Sequence, residues 1–261
     1  MMRVITGFHA IEEELRSFEK DPKKASHKEH YSILIDKPGP RIKKIVETAQ
    51  KLDLKITNAA SQKLDALAAC LPPTAQDHRG ILLLIDNQDQ KSELQLDDYL
   101  KLLEKKETSL LLVLDSITDP HNVGAIIRSA DQFGVDLVII PENRSATDLG
   151  IMSRTSAGAS SWVPILFVSN LVRTVEQFKD IGFWVYGADA KGENTRGFPF
   201  NNKTILVMGS EGSGIARLLR EKCDALVSIP TQGKLDSLNV SVAAGILLYE
   251  INGSIVQPFH A

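Results

Sequence analysis

Seven residues, "SLLLVLD" at 109–115, constrain the fold more than any other stretch of the chain. From Leu110 to Leu114 no polar residue falls at either parity, so neither face of an extended strand here is suited to water. Central strands of a parallel sheet, covered by helices on both sides, have this composition. Further apolar runs follow at 135–140 ("VDLVII"), 182–188 ("GFWVYGA"), 204–209 ("TILVMG") and 225–230 ("ALVSIP"), with helix-compatible segments between them. This alternation predicts an α/β fold with an open parallel sheet. In such sheets ligands bind outside the carboxyl ends of the strands, so the residues just after each run are the place to look for chemistry.

The preceding residues read as a separate, smaller α/β unit. A helix is expected over His9–Phe18, with Ile11 and Leu15 four apart. A strand follows at "YSILID" (31–36). Ile42, Ile45, Val46, Ala49 and Leu52 recur at the spacing of a helix with one buried face. "LKITN" is a short strand, "QKLDALAACL" a helix stopped by Pro72-Pro73, and "GILLLID" (80–86) a buried strand. The polar stretch that comes next lacks aromatics until Tyr99. The expected organisation is a first domain over 1–87, a linker over 88–107 and a second domain over 108–261.

Composition sets limits on function. A net charge of −3 gives no overall basic signature of nucleic-acid binding. Local clusters do occur: Lys23, Lys24, Lys28, Arg41, Lys43 and Lys44 are candidate phosphate contacts, and solvated loops are the plainer reading. No run approaches the roughly 18 apolar residues of a membrane span. The two cysteines, Cys70 and Cys223, give neither a metal spacing nor a disulfide framework; both read as buried structural thiols in a reducing cytoplasm. The six histidines show no ligand spacing, so no metal is expected. Trp162 and Trp184 read as core or interface fillers.

Three strand ends carry polar groups in apolar surroundings. After 109–115 comes "SITDPHNVGAIIRSADQFG", where Asn122 is placed to cap a helix running to about Phe133. Arg128 lies within that helix among Val123, Ala125, Ile126, Ile127 and Ala130, where it needs solvent or a partner. After 204–209 comes "SEGSGI". Its spacing fits neither G-x-G-x-x-G nor G-x-x-x-x-G-K-[ST], and Glu211 within it would repel a pyrophosphate. That disfavours a dinucleotide or nucleoside triphosphate and suits a neutral or cationic ligand, or a glutamate that organises an arginine. The third is "IPTQGKLDSLNVSVAAGILLYE" (229–250). Asp236 or Ser237 is placed to cap a final helix, which leaves Asn239 unexplained inside its first turn. No G-x-S-x-G elbow is present.

Taken in order, "DPHNVGAIIRSA", "LVMGSEGSGI" and the segment 229–250 resemble the three signature motifs of the SpoU-type (TrmH-like) RNA ribose 2′-O-methyltransferases of the SPOUT class. "ITGFHAIEEEL" and "HRGILLLID" look like the small N-terminal substrate-binding domain of the ribosomal RNA branch, similar to ribosomal protein L30e. The resemblance implies a parallel-sheet SPOUT domain with a C-terminal trefoil knot, preceded by an L30e-like α/β domain. It implies S-adenosylmethionine as cofactor, held by Gly209, Ile229, Leu238 and Ala188 in the "GADA" loop. It implies a homodimer, no metal and no membrane, and methyl transfer to a ribose 2′-hydroxyl of RNA, with 23S rRNA guanosine as the nearest match. By this resemblance Arg128 activates the ribose hydroxyl, Glu211 orients the arginine, and Asn122, Ser237 and Asn239 complete the catalytic set.

Two positions depart from the family pattern: Ser161 before Trp162-Val163-Pro164, and Thr231-Gln232. Both bear on substrate fit or the dimer surface and remove no matched catalytic position. The alternatives are a tRNA 2′-O-methyltransferase, a non-catalytic RNA-binding protein on the same scaffold, and a doubly wound nucleotide-binding enzyme. The missing phosphate loop opposes the last.

Overall fold

The computed structural model describes residues 2–20, 28–71, 75–86, 94–142, 159, 162–233 and 238–255. The chain divides into two compact units: Met1–Glu93 with Asp148–Trp162, and Leu94–Thr147 with Val163–Ala261.

The first unit holds strands β1 (Met2–Ile5), β2 (Tyr31–Ile35), β3 (Lys55–Asn58) and β4 (Ile81–Asp86), in the order β1-β4-β2-β3. Strand β4 is antiparallel to both of its neighbours, whereas β2 and β3 are parallel. Helices α1 (Phe8–Lys20) and α2 (Pro40–Lys51) pack on one face, where Ile33, Ile35, Ile81, Leu83 and Ile85 meet Ile11, Leu15, Ile42 and Ile45. Leu34, Leu82 and Leu84 face the other way and pack with Leu64 of α3 (Ser61–Ala68). The unbroken apolar run of β4 is thus a strand covered on both faces within an antiparallel pairing. Periodicity did not reveal β1, which is only four residues long.

The second unit is a six-stranded parallel sheet in the order β10-β8-β9-β5-β6-β7. Its strands are β5 (Ser109–Leu114), β6 (Leu137–Pro141), β7 (Ile165–Val168), β8 (Trp184–Asn194), β9 (Lys203–Met208) and β10 (Ala225–Ser228). The doubly apolar β5 lies between β9 and β6, with every residue buried. Leu111 and Val113 join Ile139, Val185, Ile205 and Val207 in a cluster against α4 (Leu96–Glu104) and α6 (Leu171–Asp180). Leu110, Leu112 and Leu114 are buried at the opposite parity. After the short α7 (Arg217–Arg220) comes α8 (Val240–Ile255), which packs on α5 (Pro120–Gln132) and also touches β9. Burial of each large apolar side chain contributes about 1.5–3 kcal/mol, which is why this parity-free pattern forces two helical layers.

Three expectations need correction. The stretch 88–107 is not all linker: α4 lies within it and buries Tyr99 and Leu103 in the second core, so the second unit begins at Leu94. Trp184, read as a core or interface filler, is half exposed at the amino end of β8, which removes the core alternative and leaves the interface one. Cys70 is exposed, and only Cys223 is partly buried. Burial, reinforced by the Asp224 carboxylate, pushes the Cys223 thiol up to about 11. At pH 8 only about one Cys223 in a thousand is then the reactive thiolate. Alkylation at that pH, followed by peptide mass mapping, is expected to label Cys70 in full before Cys223 reacts. Equal labelling rates would contradict this.

Of the basic residues considered for phosphate contact, Lys23 and Lys24 lie outside the described residues. Lys28 is paired with Asp53 at 2.6 Å and Arg41 with Glu12 at 3.0 Å, so neither stands free. Glu12 is held below the usual carboxylate range, chiefly by its hydrogen bond from Arg41.

Candidate active site

Helix α5 begins at the carboxyl end of β5, where the chain turns sharply: Ser116 has φ +58°. The cap of α5 is Asp119, whose Oδ1 accepts the His121 N–H at 2.9 Å, with Pro120 at the first helical position. Asn122 is therefore not the cap, as its position suggested. It sits in the first turn with its side chain free for tertiary contact.

The second element follows β9. Ser210 and Gly214 exchange backbone hydrogen bonds in both directions, at 3.2 and 3.0 Å, and the Ser210 and Ser213 hydroxyls lie 2.7 Å apart. Residues 210–214 are thereby closed into a small ring. Gly209 is obligatory at its base: a Cβ there would stand 2.2 Å from the Gly214 carbonyl carbon and 2.3 Å from the Ile215 nitrogen. Ala216, just beyond the ring, donates its N–H to the Asp115 carboxylate at 2.7 Å. Asp115 is 5% exposed, and its role is a tertiary one that the sequence reading missed.

The third element is the start of α8. Asn239 is itself the cap: its Oδ1 accepts the N–H groups of Ser241 at 2.9 Å and Val242 at 3.4 Å, together with the Ser241 hydroxyl at 2.6 Å. The expected caps, Asp236 and Ser237, lie outside the described residues. Capping uses only the amide oxygen of Asn239, which leaves its NH2 group for other partners.

That NH2 group joins the three elements. Asn239 Nδ2 donates to Asn122 Oδ1 at 3.0 Å and to Glu211 Oε1 at 2.8 Å. Asn122 Nδ2 donates to the same Glu211 oxygen at 3.2 Å, and the Val240 N–H reaches it at 3.4 Å. Residues 89 and 117 positions apart thus form one amide–carboxylate cluster. The carboxylate accepts from both amides and so locks the orientation of both asparagines.

Arg128 is the sequence-predicted residue that this cluster does not gather. It is exposed on α5, two turns beyond Asn122, and forms no hydrogen bond or ion pair among the described residues. Glu211 does not pair with it, contrary to the expected orienting role. The reason is helical geometry: six residues along an α-helix rotate a side chain by about 240°, away from Asn122.

Ala188, Gly209, Ile229 and Leu238 all lie at the carboxyl-end side of the sheet, and none is fully buried. Ala188 falls within β8, but its surroundings are those of a loop. The β8–β10 register jumps from Gly187↔Leu226 to Glu193↔Val227, leaving residues 188–192 without partners in β10. Gly192 closes this bulge; a Cβ there would stand 2.5 Å from the 226–227 peptide. Asp189 in the bulge is held below the usual carboxylate range, first by the Lys191 N–H and then by Arg220, whose two guanidinium nitrogens reach it at 2.9 and 3.1 Å. Among the described residues there is no group of three or more side chains suited to holding a metal.

A model of the SpoU rRNA Methylase family matches residues 109–249, from β5 to α8, and so takes in the whole cluster. The chain is 39% identical over 250 residues to the 23S rRNA (guanosine-2′-O-)-methyltransferase RlmB of Neisseria meningitidis serogroup B, covering 95% of this chain and 94% of that protein. It is 41% identical over 225 residues to an uncharacterized tRNA/rRNA methyltransferase of Borreliella burgdorferi, covering 84% and 96%. In fold it is similar to the SpoU methyltransferase AviRb of Streptomyces viridochromogenes, solved in complex with AdoMet. The TM-score is 0.71 at 22% identity, over 95% of this chain and 88% of that one. With three strand-end loops tied into one cluster inside the matched region, and near full-length identity to curated relatives, the chain belongs to the SpoU rRNA methylase family.

Proposed function

We propose that this chain is an S-adenosylmethionine-dependent methyltransferase that acts on a ribose 2′-hydroxyl of structured RNA, with 23S rRNA guanosine as its substrate. The observation that carries this reading is the Asn122–Glu211–Asn239 cluster, built from three loops on the carboxyl-end side of one parallel sheet. The neighbouring loops suit S-adenosylmethionine rather than a nucleotide polyphosphate. They offer backbone at 188–192 without ladder partners in β10 and a carboxylate at Glu211, and neither G-x-G-x-x-G nor G-x-x-x-x-G-K-[ST] spacing. Ala188, Gly209, Ile229 and Leu238 would hold the cofactor, which supplies an electrophilic methyl group on a sulfonium.

The work left to the protein is alignment and charge. Holding nucleophile and electrophile about 3–3.5 Å apart in line supplies several kcal/mol. Arg128 acts as a cation: it grips an RNA phosphate with its planar fork and stabilises the oxyanion forming at the ribose oxygen. A guanidinium holds its proton too tightly to serve as the base, so the ribose hydroxyl proton passes to water as the methyl group is transferred. Asn122, Glu211 and Asn239 keep the loops in register beneath the ribose, and Ser237 adds a hydroxyl.

A homodimer belongs to the same reading. Val242 and Tyr249 of α8 are 51% and 64% exposed, and Tyr249 lies edge-on to Phe133 at the end of α5, the helix that bears Arg128. A second copy covering that face would desolvate Arg128. A C-terminal trefoil knot, implied by the resemblance to the SpoU-type enzymes, belongs to the same reading. The first unit, taken as the L30e-like domain, selects the RNA, and the enzyme works in the cytoplasm.

Two measurements test this. Calorimetry should give binding of S-adenosylmethionine and none of NAD or ATP. Mapping of 2′-O-methyl marks in cells lacking the protein should show one guanosine of 23S rRNA unmodified. Loss confined to tRNA would replace the substrate, and no change in any RNA would reject the activity.

A further inference from the structure

We propose that Asp115 is a positioning residue of this site: its buried carboxylate fixes the return leg of the 209–216 loop and so sets Glu211 against Asn122 and Asn239. The inference rests on reading that cluster as the methyl-transfer site.

The loop has two legs. The outgoing leg is fixed at Gly209, where the backbone of 214–215 lies too close for any side chain. The Asp115 N–H, bonded to the Met208 carbonyl at 2.8 Å, extends the β5–β9 pairing to the point where this leg departs. The ring of 210–214 is closed by its own hydrogen bonds, so it moves as one piece with Glu211 on it. What sets the angle of that piece is the return leg, Ile215–Ala216. Ile215 is buried, and the Ala216 N–H is claimed by Asp115 Oδ2 at 2.7 Å. The other carboxylate oxygen accepts the Ser116 hydroxyl at 3.0 Å, which fixes the rotamer. Asp115 meets no cation among the described residues, and its two carboxylate oxygens are used on these two donors.

Removing this acceptor frees a loop whose tip carries the shared oxygen of the cluster. A displacement of about 1 Å at such a tip costs on the order of 100-fold in rate. Asparagine at 115 keeps an oxygen for the Ala216 N–H, and the Ser116 hydroxyl can rotate to accept from its NH2. Alanine keeps neither contact.

The test compares Asp115→Ala and Asp115→Asn in the full-length protein, by steady-state methylation of RNA and by hydrogen–deuterium exchange at Ala216. Asp115→Ala is expected to lower kcat by about 100-fold with KM for RNA unchanged, and to expose the Ala216 amide to rapid exchange. Asp115→Asn is expected to restore most of the rate and the protection together. Should Asp115→Ala fail to fold, Asp115→Ser, too short to reach Ala216, takes its place with the same expected loss. An unchanged kcat in the alanine or serine variant overturns the proposal. So does an asparagine variant that is inactive while Ala216 stays protected. If the unaltered protein methylates no RNA, the methyltransferase reading falls, and Ala216 exchange alone then decides whether Asp115 holds the loop.

Discussion

Replacing Arg128 with alanine is expected to lower methyl transfer by at least about 100-fold, the scale for loss of one donor aimed at a developing oxyanion. Affinity for S-adenosylmethionine should not change. The two effects separate because Arg128 lies outside the hydrogen-bonded cluster and forms no hydrogen bond or ion pair among the described residues, so its removal leaves the loops in place. Lysine at 128 keeps the charge but not the planar fork, and should recover only a small part of the rate. Single-turnover methylation alongside calorimetry decides the matter. Normal turnover in the alanine variant would reject the assigned role, and parallel loss of cofactor binding would mean that Arg128 shapes the loops instead.

Substituting Gly209 should do the reverse, acting on the cofactor site and on stability together. A Cβ at 209 would lie 2.2–2.4 Å from three backbone atoms of Gly214 and Ile215, and no side-chain rotation can relieve a clash with backbone. The ring of 210–214 must open, losing its paired Ser210–Gly214 bonds. Gly209→Val is expected to cost about 1–3 kcal/mol of stability, as overpacking does, and to abolish S-adenosylmethionine binding in calorimetry. Gly212→Ala is the control. It lies in the same ring with nothing within 4 Å of an added Cβ, and should melt and bind like the unaltered protein. Equal behaviour of the two variants would show that the close approach at Gly209 does not govern the site.

The sheet was largely legible in the sequence because burial on both faces leaves a signature of its own. The apolar runs at 109–115, 135–140, 182–188, 204–209 and 225–230 correspond to β5, β6, β8, β9 and β10. The edge strands β1 and β7 were not legible, and shortness alone is not the reason, since the four-residue edge strands β3 and β10 were. Helix α4 was legible and was missed: Leu96, Tyr99, Leu100 and Leu103 recur at i, i+3, i+4, i+7, and all four pack in or against the second core, although the surrounding stretch is polar.

The candidate site was legible as residue types but not as contacts. Asn122, Glu211 and Asn239 stand out because each is polar where the local pattern is apolar or glycine-rich. The caps were misassigned to Asn122 and to Asp236 or Ser237, since Asp119 and Asn239 are the caps. Asp115 drew no attention, as an aspartate ending a strand is unremarkable until its partner, 101 residues away, is known.

The sequence by itself determined the doubly covered parallel sheet, the positions of the three loops and the residues that resemble a methyltransferase site. The sheet and the loop positions follow from local composition, because hydrophobic burial and backbone sterics act on neighbouring residues, whereas the site residues' roles came from the resemblance to a family. Only the tertiary structure decided which polar atoms share an oxygen, that Glu211 serves two asparagines rather than Arg128, and that one buried carboxylate holds their loop. Hydrogen bonds are directional and short-ranged, so their pairing is fixed only once the strands have brought distant segments within about 3 Å of one another.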